Sequence, residues 1–265
     1  MKLNYKELGN PESQPLLILH GVFGSLDNWL TLGRQFSETY RVFLIDQRNH
    51  GRSPHDSKMN YGVLADDLNN FIEAHQLKNP LLIGHSMGGK VVMQYALTYP
   101  NTFEKMAIVD ISPRKYNVSH HEAILNGLKA IDVENLKSRS QADQTLANYV
   151  DEEGVRMFLL KNLARTKDGF EWKMNLPILA KSITKIGGKI TKNQDIGTAV
   201  DFNDTPALFI NGGQSRYIQE KDVPTITKHF PNAHIHTIHD AGHWVHAQSP
   251  KEFFDVVMKF LKETI

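Results

Sequence analysis

No cysteine occurs anywhere in the 265 residues, which excludes disulfides, thiolate metal sites and a cysteine nucleophile together. An excess of charge of one sign is also lacking. Thirty Lys and Arg stand against 29 Asp and Glu, a formal net charge of +1, so electrostatics give no case for nucleic acid or an anionic membrane as partner. No stretch approaches the roughly 18 to 20 apolar residues that cross a bilayer, and no membrane span is expected. The opening Met1-Lys2-Leu3-Asn4-Tyr5-Lys6-Glu7 has no apolar core of a secretory signal. Together with the missing cysteines, this gives the cytoplasm as the expected location. There is no internal repeat and no low-complexity tract. Histidine is plentiful, at 13, but the residues are scattered and none form a His-Glu-x-x-His frame. His120-His121 and the alternating His234, His236 and His239 read as surface or strand residues, so the expectation is no metal and no cofactor.

What is present is a rhythm. Short continuous apolar runs recur at Leu16–Leu19, Val42–Ile45, Leu81–Ile83 and Met106–Val109, and again at Ala207–Ile210. Unbroken apolar strands are buried on both faces, which predicts a parallel sheet covered by helices. Tyr61 to His75 sets Leu64, Leu68, Phe71 and Ile72 on one helical stripe. Ser249-Pro250-Lys251-Glu252 reads as a capping box with proline at the first helical position, opening a terminal helix. Between about Pro113 and Asn203 the strands stop. Amphipathic patches at Glu122–Ile131, Gln141–Tyr149, Val155–Arg165 and Leu176–Ile186 replace them, and the stretch reads as an all-helical insertion over the sheet. The expected division is a core of residues 1–113 and 204–265 with a helical cap at 114–203. A separate helical domain is the other reading, but the strands resume at Pro206 and need the same sheet to finish.

The chemistry concentrates at Gly84-His85-Ser86-Met87-Gly88. This fits Gly-x-Ser-x-Gly after a buried strand and before a helical run, the context of a nucleophile elbow. The sharp turn strains Ser86 and needs small neighbours, and it exposes the hydroxyl at a helix amino end. A serine hydroxyl needs a base. The candidate is His243 in Asp240-Ala241-Gly242-His243-Trp244, in a loop after the last strand, Ile235–Ile238, at the carboxyl edge of the sheet. His246 competes for the role, or serves packing, and His85 reads as a contact beneath the turn. His20-Gly21-Val22-Phe23-Gly24 follows the first buried strand. There the N–H of Val22, with that of Met87, would form an oxyanion hole; the alternative is an ordinary strand-to-helix turn.

Elbow, late histidine and His-Gly turn together resemble the α/β-hydrolase family over nearly the whole chain outside the insertion. The resemblance implies an α/β-hydrolase fold, a mostly parallel central sheet flanked by helices, with a helical cap inserted after the sixth strand. In most of that family the triad acid follows the strand here written Ala207–Ile210. This chain has Asn211-Gly212-Gly213-Gln214-Ser215-Arg216-Tyr217 there, with uncharged Ser215 at the expected place. Asp110, in Val109-Asp110-Ile111-Ser112-Pro113, ends the neighbouring strand and keeps the order Ser, Asp, His. Its rivals are Asp222, Asp204 and Asp240. Ser215 then reads either as a fourth hydrogen-bonding member or as a turn serine. Asp46-Gln47-Arg48-Asn49-His50-Gly51-Arg52-Ser53 resembles a family loop bracing the elbow through Arg48. The combination is similar to the small bacterial serine esterases of the YbfF type and a related mitochondrial group. That implies hydrolysis of a small-molecule carboxylic ester, or of an acyl-CoA thioester, without a cofactor. Lys90, Arg114 and Arg216 are candidates to attract an anionic CoA ester. Met157, Phe158, Leu159, Phe170 and Trp172 are candidates to line an acyl pocket. Two other readings share these residues: carbon–carbon bond cleavage or elimination with the same triad, and a non-catalytic ligand receptor.

Overall fold

The computed structural model describes residues 1–190 and 200–263; residues 191–199 of the expected cap lie outside the described residues. The core elements run β1 (Tyr5–Leu8), β2 (Pro15–Leu19), α1 (Leu30–Phe36), β3 (Arg41–Ile45), α2 (Tyr61–Ala74), β4 (Leu81–His85), α3 (Met87–Thr98) and β5 (Lys105–Val109). The insertion follows, with α4 (Ser119–Ala130), α5 (Arg139–Leu146), α6 (Glu153–Leu160), β6 (Leu163–Thr166), β7 (Gly169–Trp172) and α7 (Leu176–Ile186). The chain then completes the core with β8 (Ala207–Gly212), α8 (Val223–His229), β9 (Ala233–Ile238), α9 (Val245–Gln248) and α10 (Pro250–Lys262).

Seven strands form one sheet in the order β1-β3-β2-β4-β5-β8-β9. Only β1 is antiparallel to its neighbour; the other pairings are parallel. The runs Leu16–Leu19, Val42–Ile45, Leu81–His85 and Lys105–Val109 are buried throughout, as strands covered on both faces must be. One apolar layer, with Trp29, Leu32 and Phe36, meets Phe253 and Val257 of α10 on one side of the sheet. On the other side, α2 and α3 pack beneath the insertion in a larger cluster. The strand order reverses direction at β2, which lies between β3 and β4. Crevices at such switch points, beyond the carboxyl ends of the strands, are where ligands bind in open α/β sheets.

Three expectations need correction. Five strands precede the insertion rather than six, because a single edge strand, β1, stands outside β3. That strand was not anticipated: it is four residues long and half exposed, so it carries no apolar run. The insertion is not all helical. The helix expected over Val155–Arg165 ends at Leu160, and Leu163–Thr166 pairs antiparallel with Gly169–Trp172. Lys167-Asp168-Gly169 supplies the turn, with Gly169 at φ +144°, a conformation open to glycine. No helix among the described residues is long and apolar enough to cross a membrane.

Candidate active site

Three neighbouring strands, β2, β4 and β5, each lead at their carboxyl ends to a residue with positive φ: Phe23 (61°), Ser86 (52°) and Asp110 (49°). For residues with a Cβ this costs of order 1–3 kcal/mol each, and it persists only where the surroundings enforce it. At Ser86 they do. A Cβ on Gly84 would lie 2.4 Å from the Gly88 carbonyl oxygen, and one on Gly88 would lie 2.5 Å from that of Leu19. Backbone therefore packs on backbone from β2 through the elbow into α3. The Ser86 N–H is tied to the Val109 carbonyl at 3.0 Å, and Met87 is the first residue of the helix.

The hydroxyl of Ser86 lies 3.1 Å from His243 Nε2, and His243 Nδ1 lies 2.7 Å from Asp110 Oδ2. A carboxylate accepts, so Nδ1 carries the hydrogen and Nε2 is left to accept from the serine. Asp110 is fully buried, and every oxygen has a donor: Gly212 N–H at 3.1 Å on Oδ1, and the Ser215 hydroxyl at 2.5 Å beside His243 on Oδ2. The glycines at 212 and 213 allow this convergence. A Cβ at Gly212 would lie 2.3 Å from the Gly242 carbonyl oxygen, in the loop that carries His243. The Tyr217 ring stacks on the His243 imidazole, 3.9 Å between centroids and 19° between planes.

Around this line sits a cage of neutral imidazoles. His85 Nε2 donates to the backbone carbonyl of His243 at 2.8 Å, and burial drives its pKa well below the ordinary value. His246 stacks on Trp29 at 4.1 Å, and burial lowers it to about 3; it packs rather than serving as the base. His20 Nδ1 donates to the Gly21 carbonyl while Nε2 accepts the Gln47 N–H. His50 accepts the Phe23 N–H at 3.3 Å, which pins the loop of Gly21, Val22 and Phe23. A Cβ on Gly21 would lie 3.2 Å from that of Ser86, so this loop runs directly against the elbow.

Other expected residues go elsewhere. Arg48 grips Asp67 of α2 through Nε and Nη2, at 2.5 and 2.8 Å, so it braces that helix instead of the elbow. Asp222 pairs with Arg114 at 2.7 Å, and the carboxylate bonded to His243 is that of Asp110 rather than Asp204 or Asp240. Lys90 is buried on α3 and donates to the carbonyls of Arg114 (2.7 Å) and Gly188. Burial lowers its pKa to about 7, and it does not stand at a mouth to attract an anion. Of the apolar candidates, Phe158 and Leu159 reach the cavity beside Ser86. Met157 is exposed on a neighbouring groove of about 390 Å³, and Phe170 and Trp172, in the hairpin, pack against the large apolar cluster that the insertion shares with the sheet and with α2 and α3. No group of His, Asp and Glu among the described residues is placed to hold a metal.

Two small cavities flank Ser86. One, of about 40 Å³, is bordered by Val22, Phe23, Ser86, Tyr217 and His243 of the core and by His121 of α4. The other, of about 20 Å³, lies toward Met87, Lys90, Tyr116 and Ile183, and again meets His121. That histidine, read from the sequence as a surface residue beside His120, was missed. Its only local signal is its place in the first turn of an amphipathic helix.

Residues 14–250 match the model of the alpha/beta hydrolase fold family. The chain belongs to that family. It is 36% identical to the esterase YbfF of Escherichia coli K12, over 99% of this chain and all of that one. It is also 36% identical to the mouse sn-1-specific diacylglycerol lipase ABHD11, over 98% of this chain and 85% of the relative. Among solved structures, a marine microorganism esterase superposes with a TM-score of 0.93 at 40% identity, covering 98% of this alpha/beta hydrolase and 99% of the other chain.

Proposed function

We infer that this alpha/beta hydrolase is a serine carboxylic ester hydrolase acting through an acyl-enzyme on Ser86. The observation that carries the reading is the unbroken line from the Ser86 hydroxyl through His243 to buried Asp110, at 3.1 and 2.7 Å. Relatives named esterase and lipase support it over nearly their full lengths, and they do not favour carbon–carbon cleavage, elimination or a receptor role.

In the proposed cycle His243 Nε2 takes the hydroxyl proton as Ser86 Oγ bonds to the ester carbonyl carbon. The N–H groups of Val22 and Met87 face the oxygen that becomes negative, each worth roughly a hundred- to thousandfold in rate. The imidazolium then returns its proton to the departing alcohol. Water, deprotonated by the same imidazole, releases the acid and restores the serine. Asp110 fixes the tautomer and stabilises the imidazolium without taking its proton. Ser215 shares the carboxylate oxygen with His243 and holds Asp110 in line. Nothing in this sequence of steps calls for a cofactor. A thiol leaving group would follow the same path, so acyl-CoA thioesters stay within the proposed substrate class.

Ser86→Ala is expected to lower turnover of 4-nitrophenyl butyrate by roughly 10⁴-fold or more and to abolish labelling by a fluorophosphonate. Near-normal hydrolysis in that variant would overturn the reading.

A further inference from the structure

His121 is the one residue bordering both cavities that flank Ser86 that comes from helix α4 of the insertion. Its Nδ1 is buried and has no hydrogen-bond partner among the described residues. A buried nitrogen left unmade is costly, and native structures keep one chiefly where a ligand or water completes it. The ring faces Phe23 at 6.2 Å between centroids, and the cavity around it combines apolar groups such as Ile124, Val155 and Leu159 with His120, Tyr217, Ser86 and His243. Burial, with the imidazoles of His120 and His243 close by, lowers its pKa to about 4. At neutral pH it is therefore an uncharged imidazole.

Resting on the esterase reading above, we propose that His121 is a substrate-binding residue whose Nδ1 hydrogen-bonds an uncharged oxygen carried by the ester close to its scissile bond. A hydroxyl or a second carbonyl meets this description. A carboxylate does not, because a neutral ring offers no compensating charge and Lys90, the amine bordering the second cavity, is held by the carbonyls of Arg114 and Gly188. Both cavities border the nucleophile and both border His121, so the oxygen belongs near the reacting carbon and not at the far end of a long chain. The preferred substrates are then esters bearing a hydroxyl or carbonyl within a few bonds of the ester group, on the acyl or the alcohol side. Plain alkyl esters leave Nδ1 unmade and forgo that stabilisation. A site built to hydrogen-bond a substrate oxygen discriminates against the analogue lacking it far more strongly than an apolar pocket discriminates by size.

The test uses two matched pairs of esters with the purified wild-type protein. For the acyl arm these are 4-nitrophenyl butyrate and 4-nitrophenyl 3-hydroxybutyrate; for the alcohol arm, propyl butyrate and glycerol monobutyrate followed by acid release. The wild type is expected to favour the oxygenated member of at least one pair by roughly tenfold or more in kcat/KM. His121→Phe should collapse that ratio toward one, and His121→Asn, which keeps a hydrogen-bonding atom near the position of Nδ1, should restore part of it. Fluorophosphonate labelling of Ser86 in each variant shows that the site is assembled. No preference in the wild type, or equal loss on both members of a pair, would overturn the role of His121 while leaving Ser86-dependent hydrolysis intact. Failure of the esterase reading is a separate result, seen as Ser86→Ala retaining activity on the plain esters.

Discussion

Asp110 accepts three hydrogen bonds on two oxygens, from Gly212, Ser215 and His243. In Asp110→Asn, an amide NH₂ in place of one oxygen favours the His243 tautomer with its hydrogen on Nε2, where it cannot accept from Ser86. Turnover of 4-nitrophenyl butyrate should fall by about 10⁴-fold while the fold is kept. Ser215→Ala removes one donor and leaves the imidazole contact in place, so the expected loss is about tenfold. Steady-state kinetics on the two variants separate the roles; equal losses would put Ser215 on the same footing as the carboxylate. The contact of Asp110 with His243 is legible in the sequence because an uncharged serine stands where most of the family has its acid. The fate of Lys90 is not. Its burial follows from two carbonyls, Arg114 and Gly188, that are 24 and 98 residues away along the chain.

The strand–elbow–helix unit is where local sequence and tertiary packing agree most closely. Gly84 and Gly88 flank Ser86 because main-chain atoms of the elbow and of β2 occupy the space a side chain would need. Alanine at Gly88 forces β2 and α3 apart, since the groups it meets are carbonyl oxygens and not flexible side-chain ends. The expected destabilisation is about 3 kcal/mol, read as a lowered urea midpoint, with hydrolysis lost as the elbow shifts. An unchanged midpoint would mean that the turn tolerates a methyl group. The insertion was legible only in part. Its helices α4 and α7 follow the apolar periodicity, but β6 and β7 are four residues each, too short for a period to show. β1 was hidden for the same reason.

Across the whole molecule, the buried imidazoles make stability depend on acid. His20 has its pKa lowered to about 4, and His50 and His246 to about 3, chiefly by burial. In the unfolded chain each titrates near 6.5. The stabilisation that follows from their neutral form is therefore fully present above pH 6.5 and is lost as the pH falls from there toward 4 and 3. At pH 5 each group costs about 2 kcal/mol. Three together are comparable with much of a typical domain's stability. Urea titrations at pH 7.5 and pH 5 should show a clear fall in midpoint at the lower pH; a flat profile would mean that these rings are charged in the folded state.

The amino-acid sequence by itself determined the βα rhythm, the elbow and the identity of the groups that meet there. Those features are written in contiguous residues: apolar runs, flanking glycines, and a loop histidine after the last strand. Only the tertiary structure decided which face of the insertion looks down on Ser86, and so that His121 borders both cavities there while the more exposed His120 borders one. The physical reason is that a helix's own periodicity marks its apolar stripe. The position of a polar side chain at the edge of that stripe is set by what the helix lands on.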